Sequence, residues 1–462
     1  MSAFGNKWLA GIGLFLRGRV VPNVERFAET RQHMLWLVAV LIGAGVAGGA
    51  ILFRLAIQLI QLPWLRSMSE RVASHAESLP WWIILLAPAT GGLVVGLILK
   101  YMMPGGRAEA VADVIAARHF DEPELTLRSG VTSALVSAIS LGAGASAGRE
   151  GPVVHLGATV AMAVRRAFRL PRSATPVLLA TGAAAAVSAS FNAPIAGVIF
   201  AQEVILGYYA LASFVPIVIA SVIAAVISRF FFGEYSAFIV PEYQITSYWE
   251  APAFMLLGIV CAAVAIIFQL SMVLTDHVAR NIRMPLVARP VVGGLMVGLI
   301  AIFFPQVLGV GYETTDLALQ QQLPLLLMLM LLVTKTAATA ITLASRFGGG
   351  VFTPSLYLGA MAGGAFGIIA ASVFPDMASS AGLYAILGMG AVAACVLGAP
   401  ISTTVIVFEL TGGYALTIAL LLTVAIANGL SLAVLGRSWF ESQLKSRGTP
   451  VADHERDPWP HA

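Results

Sequence analysis

The run Gly148-Arg149-Glu150-Gly151-Pro152 places an arginine and a glutamate between glycines, and an apolar stretch from Val153 to Val164 follows. Proline is preset for the first turn of a helix, so the pattern predicts a helix start with Glu150 at its mouth. A helix N-terminus offers unpaired N–H groups and partial positive charge, which suits an anion. Glu150 is itself an anion when charged and vacates such a site when protonated. A surface loop with a solvated Arg–Glu pair is the alternative on this segment alone. Composition weighs against it, because ionisable residues at membrane depth are costly and usually functional.

Of 462 residues, 58% are hydrophobic and 11% charged, whereas ordinary soluble domains carry about 25% charged residues. Apolar stretches recur along nearly the whole length without the alternation of a membrane β-barrel. The chain therefore reads as an all-α polytopic membrane protein. Cys261 and Cys395 are isolated inside apolar runs and are expected as packed thiols. The seven histidines show no metal-ligand spacing, and no cofactor is expected. HExxH, GxSxG and paired-aspartate motifs are absent, so a membrane-embedded enzyme is not expected. The basic residues behind the net charge of +4 sit at the ends and in short loops. That placement fits contact with a lipid bilayer better than with nucleic acid.

In chain order, residues 1–32 carry Lys7, Arg17, Arg19, Arg26 and Arg31 and read as an interfacial cytoplasmic segment, not a signal peptide. Residues 33–436 hold the membrane domain, and 437–462 read as a short cytoplasmic tail. A polar stretch at 105–129 and a loop from Gly233 to Glu250 interrupt the apolar segments. Several segments are shorter than the ~20 residues that cross a bilayer, and Gly and Pro break many of them. Such helices are tolerated only where they line a protected cavity. Arg17, Arg19, Arg437, Lys445 and Arg447 predict both termini in the cytoplasm, in a membrane such as the bacterial inner membrane.

The halves repeat. Residues 88–98 match residues 290–300 at eight of eleven positions, offset by 202. Ala193-Pro194-Ile195 with Glu203 mirrors Ala399-Pro400-Ile401 with Glu409, offset by 206. Gly148…Pro152 answers Gly348…Pro354, the prolines again 202 apart. The repeats span about 87–203 and 289–409. Paired, interrupted segments of this kind point to a midplane site in a transporter. The offset alone leaves parallel and inverted repeats open.

Gly148-Arg-Glu-Gly-Pro152, Gly349-Gly-Val-Phe-Thr-Pro354 and the run from Ala399 to Gly412 resemble the CLC family of chloride channels and chloride/proton antiporters. The resemblance implies an inverted repeat of about eighteen tilted and broken helices, and a homodimer with one anion pathway per subunit. It implies that Glu150 gates the path of chloride or a similar monovalent anion. Backbone N–H groups near Arg149, Gly151, Val351 and Phe352 would face that anion. The tail is too short for the paired nucleotide-binding modules that some relatives carry.

Departures from the family pattern shape the expected mode. Gly106 stands where the first motif carries a serine, and Phe440 where the central tyrosine is expected near the end of the last helix. Val204 replaces the inner glutamate of many exchangers. With neither hydroxyl nor inner carboxylate, passive conduction gated by Glu150 is the favoured reading, and proton-coupled chloride antiport the alternative. Glu203 and Glu409 are expected to bond backbone at helix ends. Lys335 either raises the potential along an anion path, snorkels, or pairs with a carboxylate. Phe352 is expected to wall the pathway, and Trp64, Trp81, Trp82, Trp249, Trp439 and Trp459 to form interfacial belts.

Overall fold

The computed structural model describes residues 15–23, 32–118, 125–209, 211–233, 238, 241, 243–375 and 377–448. Lys7, Arg26 and Arg31 of the interfacial segment, and Trp459 with the tail beyond Gly448, lie outside the described residues.

Eighteen α-helices form among the described residues. The first half holds α1 (Gln32–Leu65), α2 (Val72–Glu77), α3 (Trp81–Met102), α4 (Val111–Ala116), α5 (Leu127–Gly142), α6 (Glu150–Ala167), α7 (Thr175–Phe191), α8 (Pro194–Phe200) and α9 (Leu211–Phe232). The second holds α10 (Ala251–Asn281), α11 (Ala288–Phe303), α12 (Tyr312–Leu319), α13 (Leu325–Ala344), α14 (Phe352–Val373), α15 (Ala381–Leu397), α16 (Pro400–Thr411), α17 (Tyr414–Leu435) and α18 (Trp439–Ser446). Eight helical stretches are long and apolar enough to cross a membrane. At 34 residues α1 is about 51 Å long, well beyond the ~30 Å hydrocarbon core of a bilayer. Others are half-length, and proline opens α8 and α16 where its missing N–H costs nothing.

Lipid offers no hydrophobic drive between helices, so close backbone approach at small residues holds them together. A Cβ on Gly157 would lie 2.5 Å from the Gly182 carbonyl oxygen, which sets α6 directly against α7. Gly359 and Gly388 bring α14 and α15 together in the same way.

The contacts between α3 and α11 decide the relation of the repeats. A Cβ on Gly92 would meet the Pro290 carbonyl oxygen at 2.3 Å, and one on Gly294 the Pro88 oxygen, also at 2.3 Å. Gly96 abuts Val287, and Gly298 abuts Leu85. As α3 advances from Leu85 to Gly96, its partner on α11 retreats from Gly298 to Val287. Equivalent helices thus pack antiparallel and exchange equivalent contacts, the mark of a two-fold relation. The repeats are inverted.

The described part of the C-terminal segment is helical. Residues 439–446 fold as α18, whose first residues Trp439 and Phe440 are buried. Ser438 and Glu441 close it with a capping box, Ser438 N donating to Glu441 Oε2 at 2.8 Å. Phe440 therefore sits at the start of the last helix, not near its end. Trp439 is core and not belt; Trp81, Trp82 and Trp249 are exposed as a belt requires.

Candidate anion site

The glycine loops before α6 and α14 meet across the two-fold relation. Gly148 N donates to Gly350 O at 2.7 Å, and Gly350 N donates to Gly148 O at 2.8 Å. Gly349 lies at φ 155, where a Cβ would stand 2.4 Å from that of Ala147. Only glycine fits that approach. This bridge aims the N-termini of α6 and α14 at one place, and neither end carries a side-chain cap. The first-turn N–H groups of Gly151 and Thr353 have no carbonyl one turn back within their own helices. Two positive helix ends therefore converge.

Glu150 occupies the junction, 1% exposed. Tyr312 Oη donates to its Oε1 at 2.7 Å, and the Thr353 hydroxyl donates to its Oε2. Tyr312 opens α12, and Thr353 is the second residue of α14, so the second repeat holds the carboxylate of the first. Arg149 Nε is 4.0 Å from Glu150 Oε1. The same guanidinium donates to Glu70 at 2.8 Å and lies 4.6 Å from the Tyr312 ring centre. Arg149 thus holds the junction from one side. Burial alone would raise the Glu70 pKa, but the charges of Arg149 and Arg54 keep it below its ordinary value.

Two cavities lie beside the junction, one lined by Glu150 itself and one by its neighbours Arg149 and Tyr312. Arg54, Gln61, Glu70, Arg149 and Tyr312 line one. The other, of about 40 Å³, is lined by Ala110, Glu150, Gly151, Val154, Phe200, Val351, Phe352, Trp439, Phe440 and Gln443 among others. That is room for a few water-sized species. Phe352 lines this cavity, its ring 5.0 Å from that of Phe191 and 6.2 Å from that of Phe200.

Of the residues singled out from sequence, the structure gathers Glu150, Gly151, Val351, Phe352 and Phe440 around this cavity, with Arg149 behind Glu150. It does not bring Gly106 there. Gly106 turns at φ 60, and a Cβ on it would face Leu286. The chain reaches the cavity only at Ala110 and Val111, where α4 begins. The Asp113 carboxylate fixes that start, accepting from Ala110 N at 2.8 Å and pairing with Arg107 at 2.6 Å and Arg447 at 3.0 Å. Burial opposes its charge, yet the Arg107 hydrogen bond and the Arg447 charge bring its pKa down to about 2.

Val204 is partly buried against the core. Next to it, Arg118 donates to the carbonyl oxygens of Ile205 and Leu206. Glu203 accepts from Ile401 N at 3.1 Å and Ser402 N at 2.7 Å; Glu409 accepts from Ile195 N at 3.0 Å and Ala196 N at 2.7 Å. Each carboxylate caps the short helix of the other repeat. Lys335 is buried and donates to the carbonyls of Val307 and Gly309 at 3.0 and 3.1 Å, so it neither snorkels nor meets a carboxylate. Sequence reasoning missed Tyr312, Ala110 and Gln443. Thr353 lay inside a motif already noticed.

The arrangement can hold an anion or a carboxylate at one junction, but not both. Residues 91–432 match the family described as Voltage gated chloride channel. The chain belongs to that family. A putative chloride channel protein ClcB-like of Ralstonia nicotianae is 33% identical, the match covering 83% of this chain and 90% of the relative. The voltage-gated ClC-type chloride channel ClcB of Escherichia coli O9:H4 is 30% identical over 86% of this chain and 95% of its own. Among solved structures, a slow cyanobacterial Cl−/H+ antiporter superposes with a TM-score of 0.80 at 21% identity, covering 89% of this chain and 97% of that one. A CLC-type fluoride/proton antiporter gives 0.73 at 21% identity, covering 87% and 95%. At that identity the likeness concerns the fold.

Proposed function

We propose that this protein exchanges a monovalent anion, chloride in the first place, for protons across the membrane. One observation carries the reading: the buried Glu150 carboxylate fills the place where two helix N-termini would hold an anion, in the wall of the cavity there. An anion enters that place only when the carboxylate leaves it. A carboxylate leaves two converging positive helix ends most readily once protonated. Occupancy by proton and by anion is thereby linked, and linkage is what exchange requires.

Passive conduction is the weaker reading. Part of its support was a central site without a hydroxyl at Gly106, and Gly106 does not line the cavity. The filled junction also favours alternating occupancy over an open pore. The relatives carry channel names and the superposed structures are antiporters, so flux measurement has to decide. Reconstituted protein under a chloride gradient should drive protons uphill against chloride, and Glu150→Gln should abolish proton movement while anions still pass. Chloride movement without protons in the unaltered protein returns the reading to a passive channel.

The orientation belongs to the same proposal. Arg107, Arg280, Arg289, Arg346 and Arg447 lie close enough to act on one another electrostatically. By the positive-inside rule that basic cluster faces the cytoplasm, together with the C-terminal helix that carries Arg447 at its end.

A further inference from the structure

We infer that Glu109 and His155 form the inner proton station that serves Glu150. The inference rests on the exchange reading above and asks where protons enter when the family's inner carboxylate is absent. Val204 cannot carry a proton, and the Arg118 guanidinium beside it places a fixed positive charge at that entrance. Glu203 and Glu409 are committed to capping the opposite repeat's helices. None of these offers a way in.

Glu109 and His155 do. His155 is completely buried on α6, the helix that Glu150 begins. Its Nε2 lies 3.1 Å from Glu109 Oε2, a close approach without hydrogen-bond alignment, so neither ring nitrogen has a hydrogen-bond partner among the described residues. Buried polar groups are normally satisfied, so an open imidazole one residue from a cavity-lining position calls for a role. The Glu109 side chain is 30% exposed and can exchange protons with solution. Glu109 N is fixed by Ser133 Oγ at 3.0 Å. Each residue stands one position from the cavity lining, Glu109 beside Ala110 and His155 beside Val154. Along α6, His155 lies about 7.5 Å beyond Glu150 at 1.5 Å per residue, with that cavity alongside.

The charged groups around the pair suit the task. Besides His155, the charged groups that act on Glu109 are Arg107 and Asp113, the Ser129 hydroxyl also bonds it, and Arg447 reaches Asp113 from the end of α18. Asp113 is occupied by both arginines, which leaves Glu109 as the carboxylate that faces the histidine. They lie at the basic, inward end. In the relay, the Glu109 carboxyl passes its proton to Nε2, and the imidazole releases the proton on Nδ1 toward Glu150. One proton enters and one leaves; the ring is neutral before and after, and exchanges tautomer to reset. A strut that only ties the α4 turn to α6 would need contact and no proton.

The test measures chloride efflux and proton movement together in proteoliposomes. Glu109→Gln and His155→Gln should each keep chloride flux within about twofold and cut proton flux by about tenfold or more, whereas Glu109→Asp keeps coupling. Val204→Glu placed in the Glu109→Gln background should restore proton movement by opening a second entrance. Gln variants that hold the unaltered proton-to-chloride ratio overturn the inference and leave exchange standing. An unaltered protein that moves chloride without protons overturns both. The two substitutions stand on different elements, so failed assembly of one leaves the other to decide.

Discussion

Glu150 takes its hydrogen bonds from hydroxyls, and its nearest cation stands 4.0 Å away with its own hydrogen bond directed elsewhere. Tyr312 and Thr353 donate to it, while the nearby Arg149 is directed to Glu70. Neutral donors can lose a carboxylate without stranding an unpaired buried cation, which suits a group that has to leave. A hydrogen bond to a charged group is worth about 1.5–3 kcal/mol. Tyr312→Phe should therefore loosen the seat and raise anion flux roughly tenfold at a fixed gradient, since 1.36 kcal/mol is a factor of ten. Flux at or below the unaltered rate would reduce Tyr312 to packing. Asp113 shows the opposite design, a carboxylate held permanently by Arg107 and Arg447. Its folded pKa, about 2, lies below the ordinary aspartate value of 3.8. A depressed carboxylate contributes stability above the unfolded pKa and loses it as pH falls toward the folded one. Asp113→Asn should cost about 2 kcal/mol at neutral pH and flatten the acid limb between roughly pH 4 and 2. Thermal unfolding in detergent across that range measures it, and an acid limb as steep as before would mean another carboxylate governs it.

Helix packing sets which glycines are indispensable. A Cβ on Gly359 would overlap the Gly388 carbonyl oxygen at 2.2 Å, backbone against backbone, whereas Gly429 on α17 has nothing within 4 Å. Gly359→Ala should forfeit most folded protein by size-exclusion yield. Gly429→Ala should match or exceed the unaltered yield, because alanine in a helix interior gains roughly 0.5–1 kcal/mol over glycine. Equal yields would contradict close packing of α14 on α15. The spanning helices were legible in the sequence because their apolar runs are long and their ends carry Gly, Pro or charge. The short helices α2, α4, α12 and α18 were not, since six to eight residues in polar stretches make no apolar run. That is why Phe440 was placed at a helix end and Gly106 at the anion. A glycine pattern marked the first motif, but the feature that reaches the cavity is the start of α4, set by Asp113. Tyr312 was hidden for another reason. It meets Glu150 across 162 residues, and no local spacing encodes such a contact.

Across the whole molecule, the two-fold relation explains contacts that look unrelated one by one. Glu203 caps α16 and Glu409 caps α8, so the same bond is made twice with the repeats exchanged. Glu203→Gln and Glu409→Gln should thus destabilise by similar amounts, about 1–2 kcal/mol each by thermal unfolding, because each weakens a carboxylate at a helix N-terminus. A large effect on proton coupling from Glu203 alone would instead give it a role in transport. The caps also bear on assembly. At 12 residues α16 spans about 18 Å, short of the ~30 Å hydrocarbon core, and α8 is shorter still. Ile195 and Ile401 beside the caps are 57% and 48% exposed, and both capping carboxylates are only half-buried. Facing lipid, this surface would set helix ends and charge at hydrocarbon depth, which bilayers do not tolerate. A second copy covering the α8/α16 face removes that cost, so the protein should be a homodimer through it. Light scattering of detergent-purified protein should give twice the chain's mass. Ile195→Trp with Ile401→Trp should yield monomers that still carry anions, since each subunit encloses its own site. Unaltered protein that runs as a monomer, or a double variant that stays dimeric, would place the interface elsewhere.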